Sequence, residues 1–454
     1  MLLPLKTRLL DEYEQGFSVK DMFQVGGTGI CSKRDHVVFH KNKESLLELL
    51  KDFSTLEPSE LRRKYDIGDD SRDWRLEYAI RDVRVNADKL EKYIVWCQYR
   101  PFDYRWTYYT PNSRTFLAYP VYDVFKHMLP PPTNPKTPNQ TRKNVALNTP
   151  RQLKNNDKSW TQCFISSCIN DQGLSSGGNG AGVNYPLYQF RDPNYTENFT
   201  PEFRSFIDKH YNHSFEPLEI LGYIYALLYS PNYRKRYEGF LKIDYPKILF
   251  TENKDLFRVL SLLGIELIGL HVLNQESLNY SFKKLKDDTI GESCYKDERN
   301  PIIKNHSHNE PEQRLYINHS AYFRGVSKEI HDYMIGGYGV LDKYLKSHKN
   351  ESCDFDHVSN IIKVIVRTIE IQKTLGFLTS DLPHLKGNDS QALMQEILQN
   401  PPPPPPFNTN TALILSRQAK ASLDFDAAFI SKEASDLNIC YGGGGSAFPL
   451  FCIA

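Results

Sequence analysis

The sequence has little cysteine: eight residues in a chain of 454, with no CxxC pair among them. A disulfide-stabilised scaffold needs a denser and more regular set, and structural zinc sites usually show closely spaced pairs. Both classes are therefore excluded, and the cysteines are predicted to be buried free thiols. A reducing compartment, the cytoplasm, is the expected location.

Net charge and long apolar runs are also missing. Lys plus Arg number 56 and Asp plus Glu 55, so the formal net charge is +1. This excludes a polycationic tail protein but permits a local basic surface. The most apolar stretch, 259–273, is interrupted by Glu266 and is too short to span a bilayer, so a buried helix is predicted there. Residues 1–6 lack the apolar core of a signal peptide, and no membrane contact is expected.

The remaining composition is that of a globular protein, with 40% hydrophobic and 24% charged residues. Residue types typical of strands predict strands at 104–109, 144–148, 161–166 and 183–190. Residues 278–312 show no period and are predicted to form a loop. Helical spacing of apolar residues predicts helices at 43–53, 74–84, 120–129, 217–230, 232–240, 326–345 and 358–375, with the segment 326–345 interrupted at Gly336-Gly337. The fold class predicted is α+β, with mixed strands and helices.

Proline interrupts the chain twice. Residues 130–143 are Pro-rich and cannot form a helix or a central strand. Residues 401–406 are six consecutive prolines, which predict a stiff polyproline II linker rather than a core element. Beyond them, Phe429-Ile430-Ser431 repeats Phe164-Ile165-Ser166. We interpret residues 411–454 as a partial, divergent repeat of 145–188, and such a half-module cannot bury its own apolar face.

An ordered series of short motifs extends over roughly residues 15–376. In chain order they are Asp70-Ser71-Arg72-Asp73-Trp74-Arg75-Leu76, Tyr99-Arg100-Pro101-Phe102-Asp103-Tyr104-Arg105, Pro150-Arg151-Gln152, Tyr185-Pro186-Leu187-Tyr188, Ile220-Leu221-Gly222-Tyr223-Ile224-Tyr225-Ala226, Tyr233-Arg234-Lys235-Arg236-Tyr237, Met334-Ile335-Gly336-Gly337-Tyr338 and Arg367-Thr368-Ile369. The series resembles the C-terminal specificity (target-recognition) region of Type ISP restriction-modification enzymes. Those enzymes are single polypeptides that carry nuclease, translocase, adenine-N6 DNA methyltransferase and target-recognition parts.

The resemblance implies sequence-specific recognition of double-stranded DNA, as the specificity domain of a restriction-modification and adenine methyltransferase system. It also implies a partner, the methyltransferase, translocase and nuclease part of such an enzyme. The Asn-Pro-Pro-aromatic loop that adenine methyltransferases use is not reproduced, because Asn400-Pro401-Pro402 is followed by Pro403. The glycines at 26–29 lead into a polar segment rather than a helix, so they do not form a cofactor loop.

No catalytic, cofactor-binding or metal-binding residue is therefore predicted in this chain. S-adenosylmethionine is expected only for the associated methyltransferase part. Two alternatives stay open at this point: an active adenine-specific DNA methyltransferase with unrecognised motifs, or a non-functional fragment of an interrupted restriction-modification gene.

The predicted organisation has five parts. They are an N-terminal part of the specificity region at 1–130, a central recognition module with basic and Gly-rich loops at 131–275, a helical C-terminal part at 276–380, a Pro-rich linker at 381–410 and the partial repeat at 411–454.

Two basic segments are candidates for contacts with DNA phosphates. Residues 136–158 carry six basic side chains and one acid, and residues 234–236 read Arg-Lys-Arg. The alternatives are a solvated loop for the first segment and pairing with Glu238 for the second. The predicted phosphate contacts are Arg142, Lys143, Lys154, Arg234, Lys235 and Arg236.

Loops around residues 148–182 are candidates for reading bases. Arg151 suits guanine O6 and N7, and Gln152 suits adenine N6 and N7, because each side chain forms two hydrogen bonds with that edge. The alternative for Arg151 is an anchor that ties its loop to a core carboxylate. The predicted base-reading residues are Asn148, Arg151, Gln152, Ser175 and Asn179.

A cluster of rings with two arginines, between Tyr99 and Tyr109, has two interpretations. Aromatic side chains interleaved with guanidinium groups form surfaces on which bases stack. In a strand, however, alternate rings also pack into the core, and core packing is the favoured interpretation.

Overall fold

Proline and polar capping residues determine where several of the longer helices begin. Pro217 and Pro231 each lie in the first turn, where the missing N–H has no intrahelical partner to lose. The Ser230 side chain accepts a hydrogen bond from the N–H of Tyr233, which caps the second of these helices. Two helices therefore follow one another with only Ser230 between them.

The computed structural model describes residues 2–129, 144–153, 159–175, 180–191, 194–295, 301–382 and 390–405. These ranges all belong to one compact unit, residues 1–407. Their helices are α1 Leu2–Glu14, α2 Val19–Met22, α3 Asp35–Val38, α4 Lys43–Thr55, α5 Pro58–Lys64, α6 Leu76–Val85, α7 Tyr122–Phe125, α8 Pro201–Tyr211, α9 Pro217–Tyr229, α10 Pro231–Leu241, α11 Lys254–His271, α12 Gln275–Phe282, α13 Lys328–His331, α14 Val340–Ser347, α15 Phe355–Leu378 and α16 Gln391–Gln399.

The same ranges contain short strands and one 3₁₀ turn, Leu90–Tyr93. The strands are β1 Phe17–Ser18, β2 Gly27–Thr28, β3 Ile94–Arg100, β4 Asp103–Tyr108, β5 Ala146–Pro150, β6 Phe164–Ser166, β7 Ile169–Asn170, β8 Gly182–Pro186, β9 Tyr188–Arg191, β10 Asn194–Glu197, β11 Lys247–Ile248, β12 Ser293–Tyr295, β13 Ser307–Asn309, β14 Arg314–Tyr316, β15 Ala321–Phe323, β16 Met334–Ile335 and β17 Tyr338–Gly339.

The strands form several small sheets rather than one large sheet. One four-stranded sheet has the order β2-β8-β5-β6, a three-stranded sheet has the order β4-β3-β7, and a second four-stranded sheet has the order β12-β15-β14-β13. Helices pack around them, above all α9 against α11. The α+β fold class predicted from the sequence is confirmed.

The apolar side chains are buried in two cores that share one strand. The smaller core is formed mainly by residues 30–128, with Trp74 at its centre, and the larger core takes most of the rest, with Trp160 in it. Val145 and Leu147 point into the larger core, whereas Ala146 between them points into the smaller one. Strand β5 is therefore covered on both faces, as expected when successive side chains alternate.

Most local predictions are confirmed, with two corrections. The helix expected at 120–129 is only one turn, α7, because Val121 has a left-handed backbone with φ of 51°. The loop expected at 278–312 contains the end of α12 and strands β12 and β13. The interruption expected at Gly336-Gly337 within 326–345 is the turn of the β16–β17 hairpin, which separates α13 from α14.

The predicted linker 381–410 also contains more structure than expected. Helix α16 lies within it and packs against α11, with Met394 buried. Pro402 and Pro405 are buried as well, so this part of the proline run is not a free spacer. The partial repeat 411–454 lies outside the described residues, and the five-part division stays a prediction.

The six cysteines within the described ranges are free thiols, and four of them, Cys31, Cys97, Cys163 and Cys353, are buried. Across those ranges, no single helix has the length and apolarity needed to cross a bilayer. The bent pair α11 and α12 passes that test by length and composition alone.

Candidate nucleic-acid interface

Three loop segments meet at one end of the β2-β8-β5-β6 sheet. Pro150, at the end of β5, pairs with Gly182, at the start of β8, so the chain leaves one strand beside the point where it enters the other. The N–H of Gly182 donates to the carbonyl of Gln172 at 2.9 Å, which brings the turn after β7 to the same place. We call residues 151–153, 171–175 and 180–182 the loop end of the sheet.

Arg151 and Gln152 lie at the loop end and face solvent. Both side chains are exposed, and Arg151 Nε donates to Asp244 Oδ1 at 3.0 Å. The side chains of Arg151 and Asp244 are 64% and 61% exposed, so the partner is a surface carboxylate and not the core carboxylate considered above. The two candidate readers with bidentate geometry are thus available to a ligand.

Asn148 and Ser175 are instead buried beneath the loop end. Asn148 lies inside β5, where its Nδ2 donates to Asn184 Oδ1 at 2.8 Å and its Oδ1 accepts from the Ser175 hydroxyl. Asn170 Nδ2 donates to the same Asn184 oxygen at 2.8 Å. The expectation that Asn148 and Ser175 sit on an exposed loop is wrong, because the amide and hydroxyl groups hydrogen-bond one another in the sheet interior. Their base contacts stay an untested prediction that this conformation does not favour.

Within the predicted basic surface 136–158, the structure describes only residues 144–153. Residues 144–150 within it are buried, and the segment that ends at residue 143 joins β5 at Asn144, opposite to the loop end. Arg142, Lys143, Lys154 and Asn179 lie outside the described residues.

The Arg-Lys-Arg segment on α10 is only partly free for phosphates. Arg234 lies over the Tyr229 ring, 4.4 Å from its centroid, and Arg236 forms two 2.6 Å bonds with the carboxylate of Glu12. Lys235 is exposed and has no bonded partner among the described residues. The pairing with Glu238 considered above is wrong, since Glu238 pairs with Lys242 at 3.0 Å.

A polar cleft of about 600 Å³ adjoins the loop end. Arg100, on its wall, donates to Asp171 Oδ1 at 2.6 Å. Lys33 and Asp35 also line the cleft, so its two cations are matched by two carboxylates. The charges that line the cleft are therefore balanced, and Gly180 and Ala181 continue it into the loop end. The sequence did not single out Asp171, because its pairing with Arg100 spans 71 positions.

Half of the rings in the aromatic cluster lie in the core. Phe102, Tyr108 and Tyr109 are buried, which confirms the favoured interpretation for these rings. Trp96 stacks on Trp106 with 4.2 Å between the ring centroids and is 46% exposed. Trp96 lies outside the cluster that the sequence pattern indicated, because it belongs to the preceding strand, β3.

The protonation of Asp244, the partner of Arg151, is altered by its neighbours. Burial tends to raise the pKa of Asp244, but the N–H of Tyr245 and the guanidinium of Arg151 together hold it below its usual range. The carboxylate is therefore ionised at neutral pH. No group of three or more His, Cys, Asp or Glu side chains within the described ranges is arranged to hold a metal ion.

Comparison with known proteins places this arrangement in a family. The model of the Type ISP C-terminal specificity domain matches residues 21–374. A search of curated proteins found no match.

Three solved structures share the fold, each over 80% of this chain. They are a nuclease-deletion mutant of the Type ISP restriction-modification enzyme LlaGI in complex with a DNA substrate mimic (TM-score 0.54, 18% identity), the ATP-dependent Type ISP enzyme LlaBIII bound to DNA (0.56, 17%) and a DrdV–DNA complex (0.53, 18%). The alignment spans 29%, 24% and 36% of those chains, about a quarter to a third of their length. Since the family model covers most of the sequence, the chain belongs to the Type ISP C-terminal specificity domain family.

Proposed function

We propose that the chain recognises a specific sequence in double-stranded DNA, as the specificity part of a restriction-modification enzyme. The observation that carries this proposal is the loop end, where exposed Arg151 and Gln152 are held on the end of a buried strand. Family membership and the DNA-bound state of the three structural neighbours support it.

A rigid sheet with polar loops at one end suits base reading. Such loops vary without disturbing the core, and the strands beneath keep their side chains in a fixed geometry. Arg151 and Gln152 are adjacent in the chain, so they address neighbouring base pairs in the major groove. We assign guanine to Arg151 and adenine to Gln152.

Phosphate contacts are assigned to side chains without strong internal partners. Lys235 meets this condition, and Arg142, Lys143 and Lys154 stay in the proposal from the sequence. Arg234 and Arg236 would first have to release Tyr229 and Glu12, so we give them second place. Because the net charge of the whole chain is only +1, a few such residues would dominate the salt dependence of binding.

The chemistry belongs to a partner in this proposal. Methyltransferase, translocase and nuclease parts would act on the DNA that this chain selects, and S-adenosylmethionine would bind the methyltransferase part. The cytoplasm, where such an enzyme meets DNA, is the proposed location.

Salt-dependent binding of the full chain to duplex DNA tests the proposal. We expect Arg142→Ala to weaken binding to preferred and random duplexes alike and to reduce the slope of log K against log salt by about one unit, because a phosphate contact carries no sequence information. Arg151→Ala is expected to cost roughly 1–3 kcal/mol on the preferred duplex and much less on random DNA.

Titrations of both duplexes at several salt concentrations give both quantities. Equal losses on the two duplexes for Arg151→Ala would show that its role is electrostatic. A methyl-transfer assay on the same preparation separates the enzymatic alternative, since saturable, DNA-dependent transfer would overturn the assignment of catalysis to a partner.

A further inference from the structure

Arg151 is held by one nitrogen only. Its Nε donates to Asp244 Oδ1 at 3.0 Å, while neither terminal nitrogen has a bonded acceptor among the described residues. The guanidinium is planar, so fixing Nε fixes the plane and the direction in which the two terminal nitrogens point. Those two nitrogens form the fork that matches O6 and N7 of guanine.

Asp244 is itself held in place. Its Oδ1 also accepts from the N–H of Tyr245 at 2.9 Å, and the N–H of Leu153 donates to the carbonyl of Lys242 at 3.0 Å. The segments 151–153 and 242–244 are thus joined by a backbone bond on one side and by the carboxylate on the other. This keeps the carboxylate opposite Arg151 without help from the core.

The pair contributes little to the stability of the fold. Both side chains are more than half exposed, and exposed pairs of this kind are worth little in water. In this pair the carboxylate bonds Nε and leaves the two terminal nitrogens of Arg151 open. Such an arrangement is better suited to orienting a contact with a ligand than to stabilising the fold.

We propose that Asp244 is a positioning residue for DNA reading: it holds Arg151 by Nε so that the terminal nitrogens meet one guanine in the major groove. This rests on the proposed function and deepens it. Asp244 makes no base contact of its own, since a carboxylate beside guanine O6 and N7 would face two acceptors. Its effect passes through Arg151 alone.

Selection of duplexes from a random library by the full chain, followed by sequencing, tests the proposal. The wild type is expected to enrich a motif with a fixed guanine, and Arg151→Ala to lose the preference at that one position. Asp244→Ala is expected to lose the same preference and no other. The dissociation constant is then measured for the selected duplex and for one in which adenine replaces that guanine. For the wild type, the second constant is expected to be roughly 5- to 150-fold larger, which is the usual contribution of a bidentate pair. For Asp244→Ala, the two constants are expected to be nearly equal.

Two controls separate positioning from structure. Asp244→Asn keeps an oxygen that accepts from both Arg151 and Tyr245, so this variant is expected to retain the preference for guanine. Glu292→Ala removes the acid of another exposed pair, Arg324–Glu292 at 3.1 Å on the β12-β15-β14-β13 sheet, and is expected to change nothing. Melting temperatures of all variants are expected to stay within about 2 °C of wild type.

The outcomes are distinguishable. If the wild type enriches no motif, the proposed function and this inference are both overturned. If Arg151→Ala loses the preference for guanine and Asp244→Ala keeps it, only the positioning role of Asp244 is overturned. Loss in Asp244→Asn with an unchanged melting temperature would overturn the hydrogen-bond account.

Discussion

At the scale of single residues, several family motif positions stabilise the core rather than face a ligand. Thr368, in the Arg367-Thr368-Ile369 motif, accepts from His271 Nε2 at 3.0 Å and itself donates to the carbonyl of Val364. His271 Nδ1 then accepts from the Tyr225 hydroxyl at 2.7 Å. Both ring nitrogens are satisfied in the neutral imidazole. Burial, reinforced by the positive charge of Arg234, lowers the pKa of His271 from 6.5 to about 3.

The buried His271 is expected to make the protein less stable as pH falls. The unfolded chain binds a proton at this residue below pH 6.5 and the folded protein only near pH 3, so the free energy of unfolding decreases throughout that window. Between pH 7.5 and 5.5 the loss is about 1.4 kcal/mol. Urea unfolding at the two pH values should show a loss that is smaller by about this amount in His271→Gln than in the wild type, because His40 and His348, whose pKa values burial also lowers, contribute in both proteins.

His36→Gln is the matched control, because His36 is exposed. Equal pH dependence of wild type and His271→Gln would contradict the assignment of a neutral, buried imidazole.

The sequence showed which residue types could read DNA, but not which of them are exposed. Arg151 and Gln152 were recognisable from side-chain geometry alone, since a bidentate pattern is a property of the residue type. Asn148 was not separable from them, because its burial depends on Asn184, 36 positions away. Asp244, at 93 positions from Arg151, left no local signal either.

At the scale of elements, helices α9 and α11 cross with their backbones in contact. A Cβ placed on Gly264 would lie 1.8 Å from the carbonyl oxygen of Gly222, and one on Gly222 would lie 2.4 Å from that of Ser261. The neighbouring atoms are backbone and cannot rotate away. The crossing therefore requires glycine on both helices. The apolar sequence of each helix did not indicate that these positions lie at a close helix crossing.

Gly264→Ala is expected to destabilise the protein by about 1–3 kcal/mol or more, the usual cost of overpacking a core. This sign is the reverse of the usual effect in a helix, where replacing glycine by alanine gains about 1 kcal/mol. Gly239→Ala is the matched control, because Gly239 lies in α10 and a Cβ added there would have no atom within 4 Å. Urea unfolding of both variants gives the comparison; stabilisation by Gly264→Ala would contradict the close crossing.

Elements that depend on distant partners were predicted least completely. Gly336, with φ of 61°, turns the β16–β17 hairpin, and its N–H donates to the carbonyl of Thr161 at 2.9 Å. A helical period across 326–345 cannot reveal that contact. The three-residue strands of the β12-β15-β14-β13 sheet are likewise too short to show a period of two.

At the scale of the whole molecule, strand β5 joins two cores that could otherwise unfold separately. Successive side chains of β5 pack alternately in the larger and the smaller core. Unfolding of either core would therefore expose one face of the same strand to water. Trp74 lies in the smaller core and Trp160 in the larger one, both almost fully buried. Each therefore reports on one core.

We expect the two cores to unfold together. Variants that keep only Trp74 or only Trp160, with the other three tryptophans replaced by phenylalanine, should show coincident fluorescence transitions in urea, since shared burial makes the cores one cooperative unit. Far-ultraviolet circular dichroism supplies the reference curve for each variant. Two separated midpoints would mean that β5 does not couple the cores.

Under the proposed function, the pairing of Pro150 with Gly182 has a consequence for how new specificities arise. The chain leaves β5 and enters β8 at the same end of a ladder whose residues are buried, except for the half-buried Val183. Lengthening the stretch after β5 or the stretch before β8 carries little entropic penalty, because loop closure depends only weakly on length. Evolution or protein engineering can therefore exchange these two stretches together and leave the scaffold unchanged. Exchange of only one stretch would place it beside a second stretch that was selected for a different DNA target.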